Sequence, residues 1–503
     1  MLRCAVSLLL VVLLIAAADG QTPDDYYQEP FRPQFHFTPE RNWMNDPNGL
    51  VYYQGEYHLF YQYNPFGNGW GHMSWGHAVS TDLLHWRHLP VTLAEENGVM
   101  IFSGSAVVDR DNTSGLCRNP DPKDKSCLIA IYTGHTETNQ SQHIAVSNDR
   151  GRTWTKYAGN PVLDIGYKDF RDPKVIWHEA TKKWVMVVSL SREQKVRFYG
   201  SPDLKKWELL SEFGGAGVAE KDVQWECPDL FELPVDGKTG KKKWVLIVNV
   251  NPGGVAGGSG GQYFIGSFDG RRFTNDNPPE HKMFLDYGKD FYAAVTFSDI
   301  PQSDGRRILL GWMSNWQYAG KEPTSPWRTA QSVPRVLSLK NFGDGLRLVQ
   351  HPVAELQRLR DRHFEKPEQV SGDALEISAE FQTGAGRQPL IRLVSGPDAA
   401  TIIGYDAATG RLFIDRSRSG LVDFDPHFPG IREAPIKLRQ KRLKLRVLAD
   451  RSSVEIFSAD GQVAVTERIF PLNKIQTVQI VAAENQARCV AFDAWQLKSV
   501  WRK

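Results

Sequence analysis

From about Asn45 to Lys340 the chain alternates short apolar runs with turn residues and shows no sustained helical periodicity. Runs such as Gly49-Leu50-Val51-Tyr52-Tyr53, Lys174-Val175-Ile176-Trp177 and Ile308-Leu309-Leu310-Gly311-Trp312 are rich in β-branched and aromatic residues and too short for helices. They read as strands. A small pattern recurs among them: a strand ending in Ser, one residue, Asp, and an aromatic shortly after. Its copies are Ser80-Thr81-Asp82…Trp86, Ser147-Asn148-Asp149…Trp154, Ser201-Pro202-Asp203…Trp207 and Ser267-Phe268-Asp269…Phe273. Asp beside Gly, Lys or Leu suits a hairpin turn, with the aromatic opening the returning strand. A repeating unit of this length holds four strands and stacks on its neighbours, which is a propeller blade. Four copies carry the signature, and Phe291 to Lys340 fits a fifth blade without it, with strands at Ala293-Ala294-Val295-Thr296-Phe297 and at Ile308 to Trp312.

Beyond His351 the pattern changes. Val353, Leu356 and Leu359 space a short amphipathic stretch, His351 to Arg360, as a linker helix. Further on, Leu375, Ile377, Ala379 and Phe381 alternate with Glu376, Ser378 and Glu380, and Leu443, Leu445, Val447 and Ala449 alternate with Lys444, Arg446 and Leu448. Period-two alternation marks half-buried antiparallel strands, hence a β-sandwich. The expected fold is all-β: a five-bladed β-propeller over residues 30–345, a linker at 346–364 and a C-terminal β-sandwich over 365–503.

A chain of 503 residues is long enough for these two domains. With 60 Lys and Arg against 58 acidic residues, its charge gives no reason to expect a nucleic-acid or membrane partner. Fifteen Trp suit both β-rich cores and sugar sites, because an indole face packs well on the C–H face of a sugar ring. Arg3, the apolar run Ser7 to Ala18 and the small-x-small Ala18-Asp19-Gly20 read as a secretory signal over residues 1–20, implying an extracellular protein, or a periplasmic one in a Gram-negative source. In that oxidising setting Cys117 and Cys127, bracketing a polar loop, can pair, while Cys227 and Cys489 read as buried thiols. Asn112 and Asn139 begin glycosylation sequons. His72, His77, His85 and His88 lie close in sequence but lack metal-ligand spacing, so neither a metal nor a cofactor is expected.

Three carboxylates occupy matching places in the repeat. Asp46 precedes the strand at Gly49, Asp172 the one at Lys174 and Glu226 the one at Asp229. Each would open the inner strand of its blade and face the propeller axis. Asp46 and Asp172 are followed directly by Pro, and Glu226 has Pro two positions on. Proline holds its predecessor extended, which limits where that side chain points. Taken singly each is a plain Asp-Pro or Cys-Pro turn; the agreement of three blades favours a shared axial site.

Trp43-Met44-Asn45-Asp46-Pro47-Asn48-Gly49, Arg171-Asp172-Pro173 and Trp225-Glu226-Cys227-Pro228 resemble the three signature motifs of glycoside hydrolase family 32. Trp75-Gly76-His77-Ala78, Phe102-Ser103-Gly104-Ser105 and Asp450-Arg451-Ser452-Ser453-Val454-Glu455-Ile456-Phe457 are similar to that family as well. The family's architecture is a five-bladed propeller followed by a β-sandwich, and its members act on β-fructosides. The resemblance implies that Asp46 is the nucleophile, Glu226 the general acid/base and Asp172 a transition-state stabiliser. It implies that Asn45, Gln62, Trp70, Phe102, Ser103, Arg171 and Trp316 bind the terminal fructose. Such an enzyme retains configuration, which needs two carboxyl groups only about 5–5.5 Å apart. The run from Asn251 through Gln262-Tyr263-Phe264, together with Asp286 to Ala294 and Gly311 to Trp316, most resembles exo-inulinases and levanases. The implied substrates are fructans and sucrose, with invertase action as the alternative. Two readings from other classes are a catalytically silent sugar-binding propeller and an inverting arabinan-type hydrolase. The glycine run Gly253 to Gly261 is not a phosphate loop, because Gln262-Tyr263-Phe264-Ile265 after it reads as a strand rather than a helix. It is expected to shape the pocket rim. Oligomeric state is not readable from the sequence.

Overall fold

The computed structural model describes residues 26–118, 123–481 and 487–501; the expected signal segment, 1–20, lies outside them. Five four-stranded antiparallel units follow one another along the chain. Their innermost strands are Asn42–Tyr53, Met100–Asp109, Phe170–His178, Gln224–Val235 and Tyr292–Thr296. These five touch in ring order, and the fifth also touches the first, so the units are the blades of a closed propeller. Backbone hydrogen bonds also close the ring. Trp327–Arg328, from the fifth blade, pairs in parallel with Asn42 and Trp43 of the first, and the Ser298 amide donates to the Leu50 carbonyl at 2.8 Å.

The recurring Ser-x-Asp turn has one construction in its first three copies. The Ser hydroxyl bonds the Asp carboxylate, which in turn accepts backbone amides from the turn. The Trp indole then donates back to a turn carbonyl. The residue after the Asp is left-handed in all four copies: Leu83, Arg150, Leu204 and Gly270. Only the last is the residue such a conformation favours, so the side-chain hydrogen bonds hold the other three against about 1 kcal/mol or more of backbone strain each.

The sandwich consists of two six-stranded sheets. The two alternating segments singled out above become neighbouring strands, with Ile377 opposite Val447 and Phe381 opposite Leu443. Their apolar faces fill the sandwich core with Leu390, Ile403 and Ile456. Leu448 departs from the alternation for a reason. It lies on the other face of its sheet and is fully buried with Phe457 and Leu497 against propeller residues Leu50, Phe297 and Leu310. Both faces of this sheet are therefore covered. The Asp450 to Phe457 motif clamps the two domains: Asp450 accepts the Gln34 and Phe35 amides, and His36 bridges Asp450 and Glu455 at 2.8 and 2.9 Å.

Three expectations need revision here. Leu346–Pro352 is not linker but a strand paired along its length with Arg335–Asn341 in the fifth blade. The expected linker helix is a short 3-10 turn, Ala354–Leu359, that buries Leu356 and Leu359, and Arg360–Phe364 is already a sandwich strand. Cys489 is half-buried rather than buried; Cys227 is buried, and Cys117 is joined to Cys127. The four neighbouring histidines go separate ways, His72 to Glu95, His77 to His58, His85 to Asp82 and His88 to Tyr27.

Candidate active site

Every inner strand is interrupted near its start. Register slips fall between Met44 and Pro47, Phe102 and Gly104, Arg171 and Lys174, Glu226 and Asp229, and Tyr292 and Val295. A bulge frees residues from the ladder and re-aims their side chains. Five bulges at one end of a five-bladed ring aim five sets of side chains at one axial spot. In blades three to five the first freed residue, Asp172, Cys227 or Ala293, has positive φ at 65°, 43° and 51°. This alignment corrects the expected equivalence of carboxylates. Pro173 matches Pro228, so Asp172 matches Cys227, and Glu226 matches Arg171 and Tyr292.

The result is a pocket of about 240 Å3. Asp46, Asp172 and Glu226 line it, as do Asn45, Gln62, Trp70, Phe102, Ser103, Arg171 and Trp316, so all ten expected residues meet. Asn251 and Tyr292 join them. Neither was singled out from the sequence. Tyr292 opens the fifth inner strand, so carrying the blade register through to the unsigned blade would have found it. The volume lies below the usual ~300–1,000 Å3 of drug-sized sites, which suits one sugar ring rather than a chain.

Asp46 is fixed on both oxygens. Ser103 Oγ donates to Oδ2 at 2.7 Å, Asn45 Nδ2 donates to Oδ1 at 3.0 Å, and Cys227 Sγ approaches Oδ2 at 3.4 Å. Asn45 is itself oriented by the Trp43 indole N–H at 2.8 Å. Arg171 Nε donates to Glu226 Oε1 at 3.0 Å, and the Tyr292 hydroxyl donates to Oε2. The remaining Arg171 donors reach Gln140, Asp169, Ser191 and Gln224, so the guanidinium cannot swing away. Trp70, half exposed, meets Phe102 edge-on, and Trp316 stacks on Trp43. Trp316 is held from behind, its amide donating to Ser259 Oγ at 3.2 Å. Gly258, left-handed, lies so close to Asn315 that a Cβ would come within 2.2 Å of its Oδ1. The glycine run thus packs behind Asn315 and Trp316 rather than lining the pocket itself.

Burial pushes the Asp46 carboxyl above its ordinary range, the Ser103 and Asn45 bonds pull it back, and the charge on Glu226 raises it again. Asp172 is pushed up to about 7 by burial, against the pull of Arg171 and with added repulsion from Glu226 and Asp46. Burial and the neighbouring Glu226 also keep the Tyr292 hydroxyl protonated, hence a donor. The Asp172 shift carries a stability consequence. A carboxyl raised from 3.8 to about 7 on folding stabilises the fold below pH 3.8 and loses that contribution as pH rises through 7. Asp172→Asn, neutral throughout, should therefore gain in Tm relative to wild type as pH is raised from 4 to 8; thermal melts across that range check it, and a constant difference refutes the raised carboxyl.

Comparison with known proteins agrees with this architecture. Residues 36–352 match the glycosyl hydrolases family 32 N-terminal domain and residues 347–496 the family 32 C-terminal domain. The chain is 50% identical to a levanase of Bacillus subtilis over 99% of its own length and 75% of that protein's. The solved structure of an exo-inulinase from Aspergillus awamori superposes with a TM-score of 0.86 at 37% identity, covering 94% of this chain and 100% of that one. A β-fructofuranosidase from Schwanniomyces occidentalis, solved with fructosyl-erythritol, gives 0.85 at 34% identity over 95% and 99%. With both domains matched in order along almost all of the described residues, the chain belongs to glycosyl hydrolase family 32.

Proposed function

We propose that this protein is a secreted fructan β-fructosidase that removes terminal β-D-fructofuranosyl units from inulin and levan, and from sucrose, with retention of configuration. The observation that carries the reading is the meeting of Asp46, Asp172 and Glu226, from three separate blades, in one pocket sized for a single ring. In the first step the Asp46 carboxylate attacks the anomeric carbon while Glu226 passes its proton to the departing glycosidic oxygen, leaving a fructosyl ester on Asp46. In the second, Glu226 takes a proton from water, water attacks the same carbon, and the ester bond to Asp46 breaks. Asp172 grips ring hydroxyls through both steps, Arg171, with its five N–H groups engaged by protein acceptors, orients Glu226, and Tyr292 holds the Glu226 oxygen on the side of the leaving group. Serine and asparagine as partners of Asp46 suit a nucleophile, because they orient it without adding a proton donor of comparable acidity. Relatives named as a levanase and extracellular exo-inulinases support fructan as substrate and secretion as destination. The Cys117–Cys127 bond fits an oxidising compartment.

A pocket closed by Trp70 and Trp316 takes a chain end rather than a chain middle. Free fructose is therefore the expected first product from inulin and levan, read by chromatography at low conversion. An early ladder of oligosaccharides refutes exo-action. Product released with inverted anomeric configuration, read by NMR before mutarotation, refutes the two-step mechanism.

A further inference from the structure

Immediately beneath the pocket, on the propeller axis, Lys174 and Asp229 form an ion pair at 3.3 Å with 4% and 0% exposure. Both also bond one residue of the fifth blade. Lys174 Nζ donates to the Thr296 carbonyl at 2.6 Å, and the Thr296 amide donates to Asp229 Oδ2 at 2.5 Å. Three blades are thus tied at one point. The tie falls just past the bulges: Lys174 and Asp229 are the first residues back in register after Arg171 and Glu226, and Thr296 follows the first such residue, Val295, after Tyr292. On the other side of the same three bulges stand Arg171, Glu226 and Tyr292, with Arg171 and Tyr292 both donating to Glu226 in the pocket. Lys174 and Thr296 line a small axial cavity together with Ser103, Asp172 and Cys227, so the tie and the floor of the pocket border one space.

A buried ion pair is a weak source of net stability, since the desolvation of both charges offsets their attraction, and well-packed neutral replacements are often as stable. A buried pair does, however, fix distance and direction between the elements that carry it. We propose that Lys174, Asp229 and the Thr296 backbone act as a positioning pin that sets the spacing of Arg171 and Asp172, Glu226 and Tyr292 for the transition state. Neither side chain touches substrate; both act through the strands they join. The inference rests on the fructosidase reading given above, which assigns the chemistry to those groups.

The test is the double variant Lys174→Met/Asp229→Asn in the full chain. Both charges of the pair go together, Arg307, which also faces Asp229, keeps Asp299 as counter-charge, and Asn retains an acceptor for the Thr296 amide. Its Tm should remain within a few degrees of wild type. Its kcat for fructose release should fall on the order of 100-fold, the cost of misplacing reacting groups by about 1 Å, while KM moves less than about 3-fold. A purely structural pair gives the opposite, a lowered Tm with kcat per folded molecule unchanged, and that result overturns the proposal. Should the double variant fail to fold, Lys174→Arg keeps the charge but alters the reach; unchanged kcat in that variant overturns the pin equally, and a fall in kcat without a matching rise in KM supports it. Wild-type enzyme in the same assay separates the two readings. No fructose release by wild type refutes the fructosidase, whereas release by wild type and variant alike refutes only the pin.

Discussion

Asp46→Ala is expected to lose roughly 10^5-fold or more of kcat on every fructoside while folding normally, because in the proposed mechanism it removes the atom that forms the covalent bond. Stability is set by two opposing effects. The wild-type pocket packs Asp46 with Asp172 and Glu226, and burial and mutual repulsion together raise the Asp46 and Asp172 carboxyls. Deleting one of them relieves that repulsion at the cost of the Ser103 and Asn45 hydrogen bonds, each worth about 1.5–3 kcal/mol when made to a charged acceptor. Asp172 supplies an internal check. With the negative charge of Asp46 gone, its ionised form is favoured and its midpoint should drop below the present value of about 7. In wild type the raised Asp46 carboxyl also sets the acid side of the rate profile: activity should decline at a pH above the ordinary carboxylate range as Asp46 takes up a proton. Substantial turnover by a folded Asp46→Ala protein sinks the nucleophile assignment, and with it the meaning given to the pocket.

What could be read from the chain and what could not divides along physical lines. The blade turns were legible because Ser, Asp and Trp within a few residues build the turn themselves, by bonds that involve no distant partner. The sandwich strands were legible because their burial alternates with the pleat, as Ile377, Ala379 and Phe381 show. Where a second surface covers a strand, the alternation misleads, as at Leu448, whose partners Leu50 and Leu310 lie in the other domain. Asp46, Asp172 and Glu226 were recognisable through the motifs around them, although Asp172 and Cys227, each before a proline, are left-handed rather than extended as the prolines suggested. The offset between Asp172 and Glu226 was not, because it depends on the number of residues each bulge releases. Tyr292 reads in sequence as one more aromatic of a β core. Only its place beside a bulge shows that its hydroxyl is turned toward Glu226. The bridge from His36 to Asp450 and Glu455 joins residues more than four hundred positions apart, which no local pattern encodes.

Glu226→Gln is the second large effect, and its value lies in how the loss depends on substrate. The amide keeps the shape and can still meet the Tyr292 hydroxyl, which now donates to Glu226 Oε2. It can neither give a proton to the leaving oxygen nor take one from water. Loss of general acid catalysis costs about 10^2–10^4-fold where the leaving group needs protonation, as the sugar alcohols of inulin, levan and sucrose do. A fructosyl donor whose leaving group departs without a proton, such as fructosyl fluoride, should still react with Asp46. The variant would then show a burst of leaving group followed by a slow phase, since the fructosyl ester on Asp46 has no base to activate the water that clears it. Azide needs no deprotonation to attack. Added to the variant, it should accelerate the slow phase and yield fructosyl azide of retained configuration, the second of two inversions at the same carbon. Mass spectrometry of the intact protein during the slow phase should find one fructosyl unit, and peptide mapping should place it on Asp46. If the variant loses activity equally on fluoride and fructan, gains nothing from azide and carries no adduct, Glu226 is not the acid/base. Asp172, the other carboxyl in the pocket and one already raised to about 7, would then be the group to examine in its place.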